Sequence, residues 1–310
     1  MGKADTITKA YMSDSAIFAD LFNKVLYHGK QRIKPEQLSP VDVAEIALPY
    51  GTNATRTAVQ KQRDVAKHLI VNTDGHVAYA CILGVENQTN VHYAMPVKSA
   101  LYDILNLSTQ VQIAAQSHRD AHNYGNSAEF LSGFHKDDRL IPVVTTTVHF
   151  GPEPWDGPMS LKDMYACEDA IILEHAIDYK INLISPGMMT EKDIDEFHTS
   201  LREVLLCIQA SQDEERLEKV LLNNPRCRQL EHLAAELIYT VTGSQFIKPP
   251  KGKETIDMYN AWDERIKRSR VETILENIRA LMESTKWSAQ QAMDALKISP
   301  EQQKELAPLI

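Results

Sequence analysis

Asp64 and Glu86 are the residues of this chain best spaced to do chemistry together. An apolar run from Val65 to Val71 begins directly after Arg63-Asp64, and a second, from Val77 to Val85, ends in Glu86-Asn87-Gln88. Between them lies Asp74-Gly75, and two apolar runs about such a pair read as a β-hairpin. Two carboxylates at one end of a hairpin, with no cysteine or histidine cluster beside them, suit a hard cation with oxygen ligands. Mg2+ usually takes one or two carboxylates plus waters and substrate phosphate, and Mn2+ accepts the same donors. Held in that way, the cation activates a water and offsets charge building on a phosphodiester. Gln88 shares a face with Glu86, because strand side chains alternate. It can hold a water or a phosphate oxygen by hydrogen bonds, but supplies neither a base nor positive charge. Lys98, early in the next helical segment, can reach back with that charge. The plainer alternative is a surface aspartate at a strand start and a polar strand end.

Register decides between these readings. A two-residue turn pairs Thr73 with His76 and leaves Asp64 facing Val85, with Glu86 on the other side. A three-residue loop, Thr73-Asp74-Gly75 with Gly in the left-handed position, pairs Asn72 with His76. Asp64 then faces Gly84, and Glu86 is its diagonal neighbour, about 7–8 Å away on the same face. The expectation is therefore the three-residue loop.

Several elements must position these residues. Ser13 to His28 reads as a helix, with Ile17, Phe18, Leu21, Phe22, Val25 and Leu26 as its stripe, Ser13 as cap and Gly29 as stop. Ile46-Ala47-Leu48 suggests a first strand. The run from Val77 to Val85 is apolar throughout, as in a central strand buried on both faces. Met95 to Ala115 reads as a long helix, and 116–139 as loop-rich. Leu140 to Phe150 is the clearest single strand, bounded by Gly151-Pro152. Lys180 to Ile184 suggests another. From Thr190 to Thr242 the pattern is helical, with a capping start at Thr190 and Asp193. Pro249 to Lys253 reads as a linker, and only helices follow, one starting at Ser288 and another capped by Ser299 with Pro300 at its first position. The order gives an α/β core with a helical tail.

Composition narrows the classes. The chain has 310 residues, 43% of them hydrophobic, enough for a sizeable core plus an appendage. No stretch approaches the roughly 20 apolar residues of a membrane helix, and the N-terminus lacks a signal-peptide core. Cys81, Cys167, Cys207 and Cys227 form no Cys-x-x-Cys, so the expected setting is a reducing cytoplasm. The net charge of −9 weighs against a chain that is basic all over, although Lys61–Lys67, Lys248–Lys253 and Arg265–Arg270 are locally basic. His118 and His122 are four apart, a spacing that would share a metal on a helix, but their polar surroundings read as a solvated helix end. Glu174-His175, and Cys227 near His232, have no partners in sequence. Trp155 and Trp262 read as packing anchors. No phosphate-cradling Gly-rich loop and no Gly-x-Ser-x-Gly occurs.

Arg63-Asp64, Val85-Glu86-Asn87-Gln88-Thr89, Met95-Pro96-Val97-Lys98 and Leu101-Tyr102 together resemble the Rpn family. These are recombination-promoting nucleases, also classed with transposases, of the PD-(D/E)XK superfamily. Ile141-Pro142-Val143-Val144 and Trp155-Asp156-Gly157-Pro158-Met159-Ser160-Leu161 resemble its later strand and turn. The resemblance covers about residues 13–210. It implies a restriction-endonuclease-like fold, a mixed β-sheet core flanked by helices with a C-terminal helical region. It further implies a Mg2+-dependent DNA endonuclease tied to recombination, mobile elements or phage defence, acting as a homodimer on DNA. Asp64 and Glu86 would be the metal carboxylates. Gln88 stands where the superfamily usually has its lysine, and Lys98 where relatives often carry arginine. Asn87 replaces the usual His and Thr89 the usual Ser. The superfamily often adds an acidic residue from the first helix, for which Asp20 is the candidate, against the reading of a solvated helix Asp. The organisation expected is a nuclease domain over 1–210, a helical extension over 211–250 and a helical tail over 251–310. The rival is a catalytically inactive DNA-binding or protein-interaction protein, motivated by the glutamine at 88 and the acidic net charge.

Overall fold

In the computed structural model the chain is described at residues 2–41, 44–47, 59–62, 64–73, 76–243 and 246–310, and by backbone alone at 44–47, 59–62, 72–73 and 76–79. Helices α1 (Lys3–Met12) and α2 (Ser15–Tyr27) precede strands β1 (Leu38–Pro40), β2 (Ala44–Ala47), β3 (Val59–Gln62), β4 (Val65–Thr73) and β5 (His76–Gln88). Then come α3 (Met95–Asp120), α4 (Ser127–Ser132), β6 (Val143–His149), α5 (Ala170–His175) and β7 (Asn182–Ile184). The helices α6 (Glu191–Asp195), α7 (Leu201–Ala210) and α8 (Glu214–Asn223) lead to β8 (Leu230–Glu231), α9 (His232–Thr242) and β9 (Thr255–Ile256). The chain closes with α10 (Met258–Thr285), α11 (Ala289–Ala295) and α12 (Pro300–Leu306).

The main sheet has the order β1-β4-β5-β6-β7. Its β1/β4 and β4/β5 pairs are antiparallel, whereas β5/β6 and β6/β7 are parallel. This is an α/β architecture: a five-stranded mixed sheet flanked by helices, with a helical C-terminal region. Parallel strands need a crossover, and α3 supplies it between β5 and β6. As its apolar run requires, β5 is central. Leu83 and Val85 are fully buried, packed with Val65, Leu69 and Val148 against Phe18 and Phe22 of α2, Leu205 of α7 and Ile238 of α9. Each such side chain contributes about 1.5–3 kcal/mol on burial.

The opposite face lies under α3. Thr145 Oγ1 donates to Asp103 at 2.6 Å, and Gln110 both donates to and accepts from the backbone of Ile141, at 3.0 and 2.7 Å. Lys67, in the locally basic Lys61–Lys67 stretch, is buried. Its Nζ donates to Ser13 O and Ser15 Oγ, both at 2.7 Å, and so ties β4 to the α1–α2 junction.

Several ends differ from the sequence reading. The cap of α2 is Asp14, which accepts from the Ala16 and Ile17 amides, and the helix ends at His28 in the left-handed conformation before Gly29. The expected caps at Thr190, Ser288 and Ser299 are formed. Helix α3 runs five residues past Ala115. The strand expected at 140–150 starts at Val143. Leu48, at the end of the first expected strand, lies outside the described residues.

The core does not stop at residue 210. One apolar cluster runs from Ile7 through Leu217, Leu221 and Cys227 to Trp262. The linker-like Pro249–Lys253 stretch lies between Phe246 and Ile256, both buried in it. A separate cluster of Leu275, Ile278, Ala292, Met293 and Leu306 holds α10–α12 together. Trp155 and Trp262 are both buried packing residues. No described helix is long and apolar enough to cross a membrane.

Candidate active site at the strand ends

The hairpin register brings Asp64 and Glu86 to one face by a route the sequence reading did not foresee. Thr73 pairs with His76, so the connection is two residues long, not three. A bulge then follows: Val71 pairs with Tyr79 while Asn72 pairs with Val77, leaving Ala78 as the extra residue of β5. Two-residue connections match the right-handed twist of the strands, and a bulge adds one residue to one side. Beyond the bulge Val65 pairs with Val85. One further step sets Asp64 opposite Glu86. The net offset from the expected register is two positions, so the shared face is preserved, and the two residues are direct rather than diagonal neighbours.

Asp64 lies just before β4, half-buried, and its Oδ2 accepts the Asn87 amide at 2.7 Å. Glu86 is buried at 1% exposure, and its Oε2 lies 3.0 Å from Lys98 Nζ in the first turn of α3. Burial pushes the Asp64 carboxyl above the ordinary 3.8. The Asn87 amide and the Lys98 charge oppose that rise, and Asp5 and Lys9 of α1 act on the same carboxyl, upward and downward respectively. Asp64, Glu86 and Lys98 are therefore brought together. Gln88 is half-buried at the last position of β5, paired with His149 of β6.

Asp20 is not brought to this group. It is 2% exposed, and its Oδ2 accepts from the His198 amide, the Thr199 amide and the Thr199 hydroxyl at 2.7–2.8 Å, while Oδ1 accepts from Gln31. The turn before α7 carries two amides with no helical partner, and a buried carboxylate satisfies both. Asp20 is an anchor for that turn.

One residue of this region was not foreseen from the sequence. His149 ends β6 as Gln88 ends β5, and a polar residue closing an apolar strand was the signal. Its Nδ1 lies 3.1 Å from Ser185 Oγ and its ring meets Trp155 edge to face. Burial pushes its pKa below 6.5, which keeps the imidazole neutral at pH 7.

The donors suit a hard divalent cation: carboxylate oxygens from Asp64 and Glu86. A buried carboxylate and a half-buried one with a raised pKa both gain from a nearby positive charge, which Lys98 supplies in part. The site sits at the carboxyl ends of the parallel strands, the usual position for ligands of open α/β sheets. The chain matches no protein-family model, no curated protein and no solved structure.

Proposed function

We propose that this protein is a metal-dependent DNA endonuclease of restriction-endonuclease-like fold that hydrolyses phosphodiester bonds, linked to DNA recombination, mobile elements or phage defence. The observation that carries this reading is the meeting of Asp64, Glu86 and Lys98 at the end of one hairpin. Asp64 and Glu86 would hold Mg2+ (or Mn2+), which when bound activates water and offsets phosphate charge. Lys98 takes the part of the superfamily's lysine from a different element: it neutralises Glu86 in the free protein and meets the scissile phosphate in the complex. Gln88 orients a water or a phosphate oxygen by hydrogen bonds. His149, neutral and fixed by Ser185, orders the adjoining strand end. Pairing of two copies through the α10–α12 region belongs to the same reading, since cutting both strands of a duplex takes two sites.

A labelled DNA duplex tests this. With Mg2+ the wild type cuts, and Asp64→Ala binds with the same affinity and salt dependence but does not cut. Salt-dependent binding without cutting by either protein would replace the nuclease with a DNA-binding protein. That second reading has one observation in its favour: Glu86 Oε2 is engaged by Lys98, and Asp64 Oδ2 by the Asn87 amide.

A further inference from the structure

The far end of α3 carries another group of chemistry-bearing side chains, which the nuclease reading does not use. His118 lies in the last turn of α3, and His135 and Asp138 lie in the loop after α4. The ligand atoms of these three side chains all lie within 4.8 Å of one another. His118 Nε2 is 2.9 Å from Asp138 Oδ2, which also accepts the His135 amide at 2.7 Å. The two imidazoles stack, with centroids 3.4 Å apart and planes 13° from parallel.

A plain structural reading accounts for Asp138: it caps a turn and pairs with one histidine. It does not account for His135. The Nε2 atom of that ring is buried with no hydrogen-bond partner, which is costly for a polar group out of water. A cation held among these three side chains would account for their convergence and give the His135 ring a partner.

The surroundings hold the group in place. Gly133 has φ +69, and a Cβ there would stand 2.7 Å from the Ala115 Cβ, so only glycine lets this loop lie directly on α3. The Glu129 carboxylate accepts the Gly125 and Lys136 amides, closing the loop across α4. Tyr124 packs its ring edge-on to both Phe130 and His135.

We propose that His118, His135 and Asp138 form a binding site for a divalent transition metal of the zinc class. Imidazole nitrogens and a carboxylate oxygen, without thiolate, are donors that such ions accept. Three protein ligands leave a fourth position for water or a small ligand, the pattern of open rather than closed zinc sites. His118 and Asp138 also line a cavity of about 790 Å³, with Gln110, Ile113 and Arg139 around it, a size that admits a small organic molecule. Lys98 and His118 are separated by about 30 Å of helix at roughly 1.5 Å per residue, so this site does not share ligands with the Asp64–Glu86 group.

Calorimetric titration of chelator-treated full-length protein with Zn2+ tests the proposal, with Co2+ absorption as a second readout. The expected result is one Zn2+ per chain and a tetrahedral Co2+ band. His135→Gln and Asp138→Asn each weaken binding by about a hundredfold or more, at least the size of the losses that supporting residues alone produce. His175→Ala, which removes an exposed histidine elsewhere, leaves it unchanged. Circular dichroism in chelator verifies that the variants are folded. A wild type that takes up no Zn2+ at one per chain, or a folded His135→Gln that binds as tightly as wild type, overturns the site.

Discussion

The two ends of α3 face different chemistry, and the contrast comes from what each end packs against. The N-terminal end meets the sheet, where Asp64 just precedes β4, Glu86 lies near the end of β5, and Lys98 answers a buried Glu86. The C-terminal end meets a loop, where two imidazoles and one carboxylate converge with one ring nitrogen left without a partner. A sheet fixes residues through register, so one bulge sets the position of every side chain beyond it. A loop fixes residues through a few close approaches, such as that of Gly133 to Ala115. Hard oxygen donors thus sit on the rigid element, and borderline nitrogen donors on the adaptable one.

If the two ends are independent, variants at one leave the other intact. The largest expected effect is at Glu86. Removing a cation-holding carboxylate forfeits several kcal/mol of charge stabilisation, about a thousandfold in rate, so Glu86→Ala should abolish plasmid cutting while Zn2+ uptake is retained. Loss of both together would mean that the ends are coupled through α3.

The fully buried Leu83 underlies the sheet, and Leu83→Ala should lower unfolding free energy by about 3 kcal/mol, read by urea denaturation. The Asp64–Glu86 end should weaken first, since Leu83 lies on the strand that carries Glu86. Lys98→Met removes the ion pair with buried Glu86, an effect of about 2–3 kcal/mol, reduced from the buried-pair range because Lys98 is partly exposed. Lys98→Arg should restore most of that stability. Asp20→Ala should cost about 1–2 kcal/mol through the freed amides of His198 and Thr199, with no change in cutting by the folded protein. Loss of cutting there would return Asp20 to the site.

The smallest effect concerns pH. The folded pKa of Asp64 is raised above its unfolded value, mainly by burial. Its contribution to stability is therefore fully present below the unfolded pKa and is lost as pH rises through the folded pKa. Asp64→Asn should flatten that fall in a pH series of melting temperatures without added metal. Mg2+ should restore stability to the wild type on the alkaline side and not to the variant.

Much of the frame was legible in sequence because it is local. The unbroken apolar run of β5 marks a central strand, and the caps at Thr190, Ser288 and Ser299 need only their own neighbours. The parts that escaped depend on distant partners. Helix α1 has a thin apolar stripe and is buried by contact with α9, far along the chain. The bulge at Ala78 leaves no compositional mark, yet it converts a two-residue turn into the register that Asp64 needs. Asp20 reads as a site residue or a solvated one by type alone, and the turn it anchors lies nearly two hundred residues away. His118 reads most readily beside His122, but α3 ends between them, and its partners are His135 and Asp138 across a loop.

Supercoiled-plasmid nicking, run in parallel for wild type, Glu86→Ala and His135→Gln with Mg2+ or Mn2+, tests the central claim most directly. Metal-dependent nicking by wild type and His135→Gln, and none by Glu86→Ala, is the expected result. Equal nicking by wild type and Glu86→Ala, or no nicking by wild type with either metal, would contradict it.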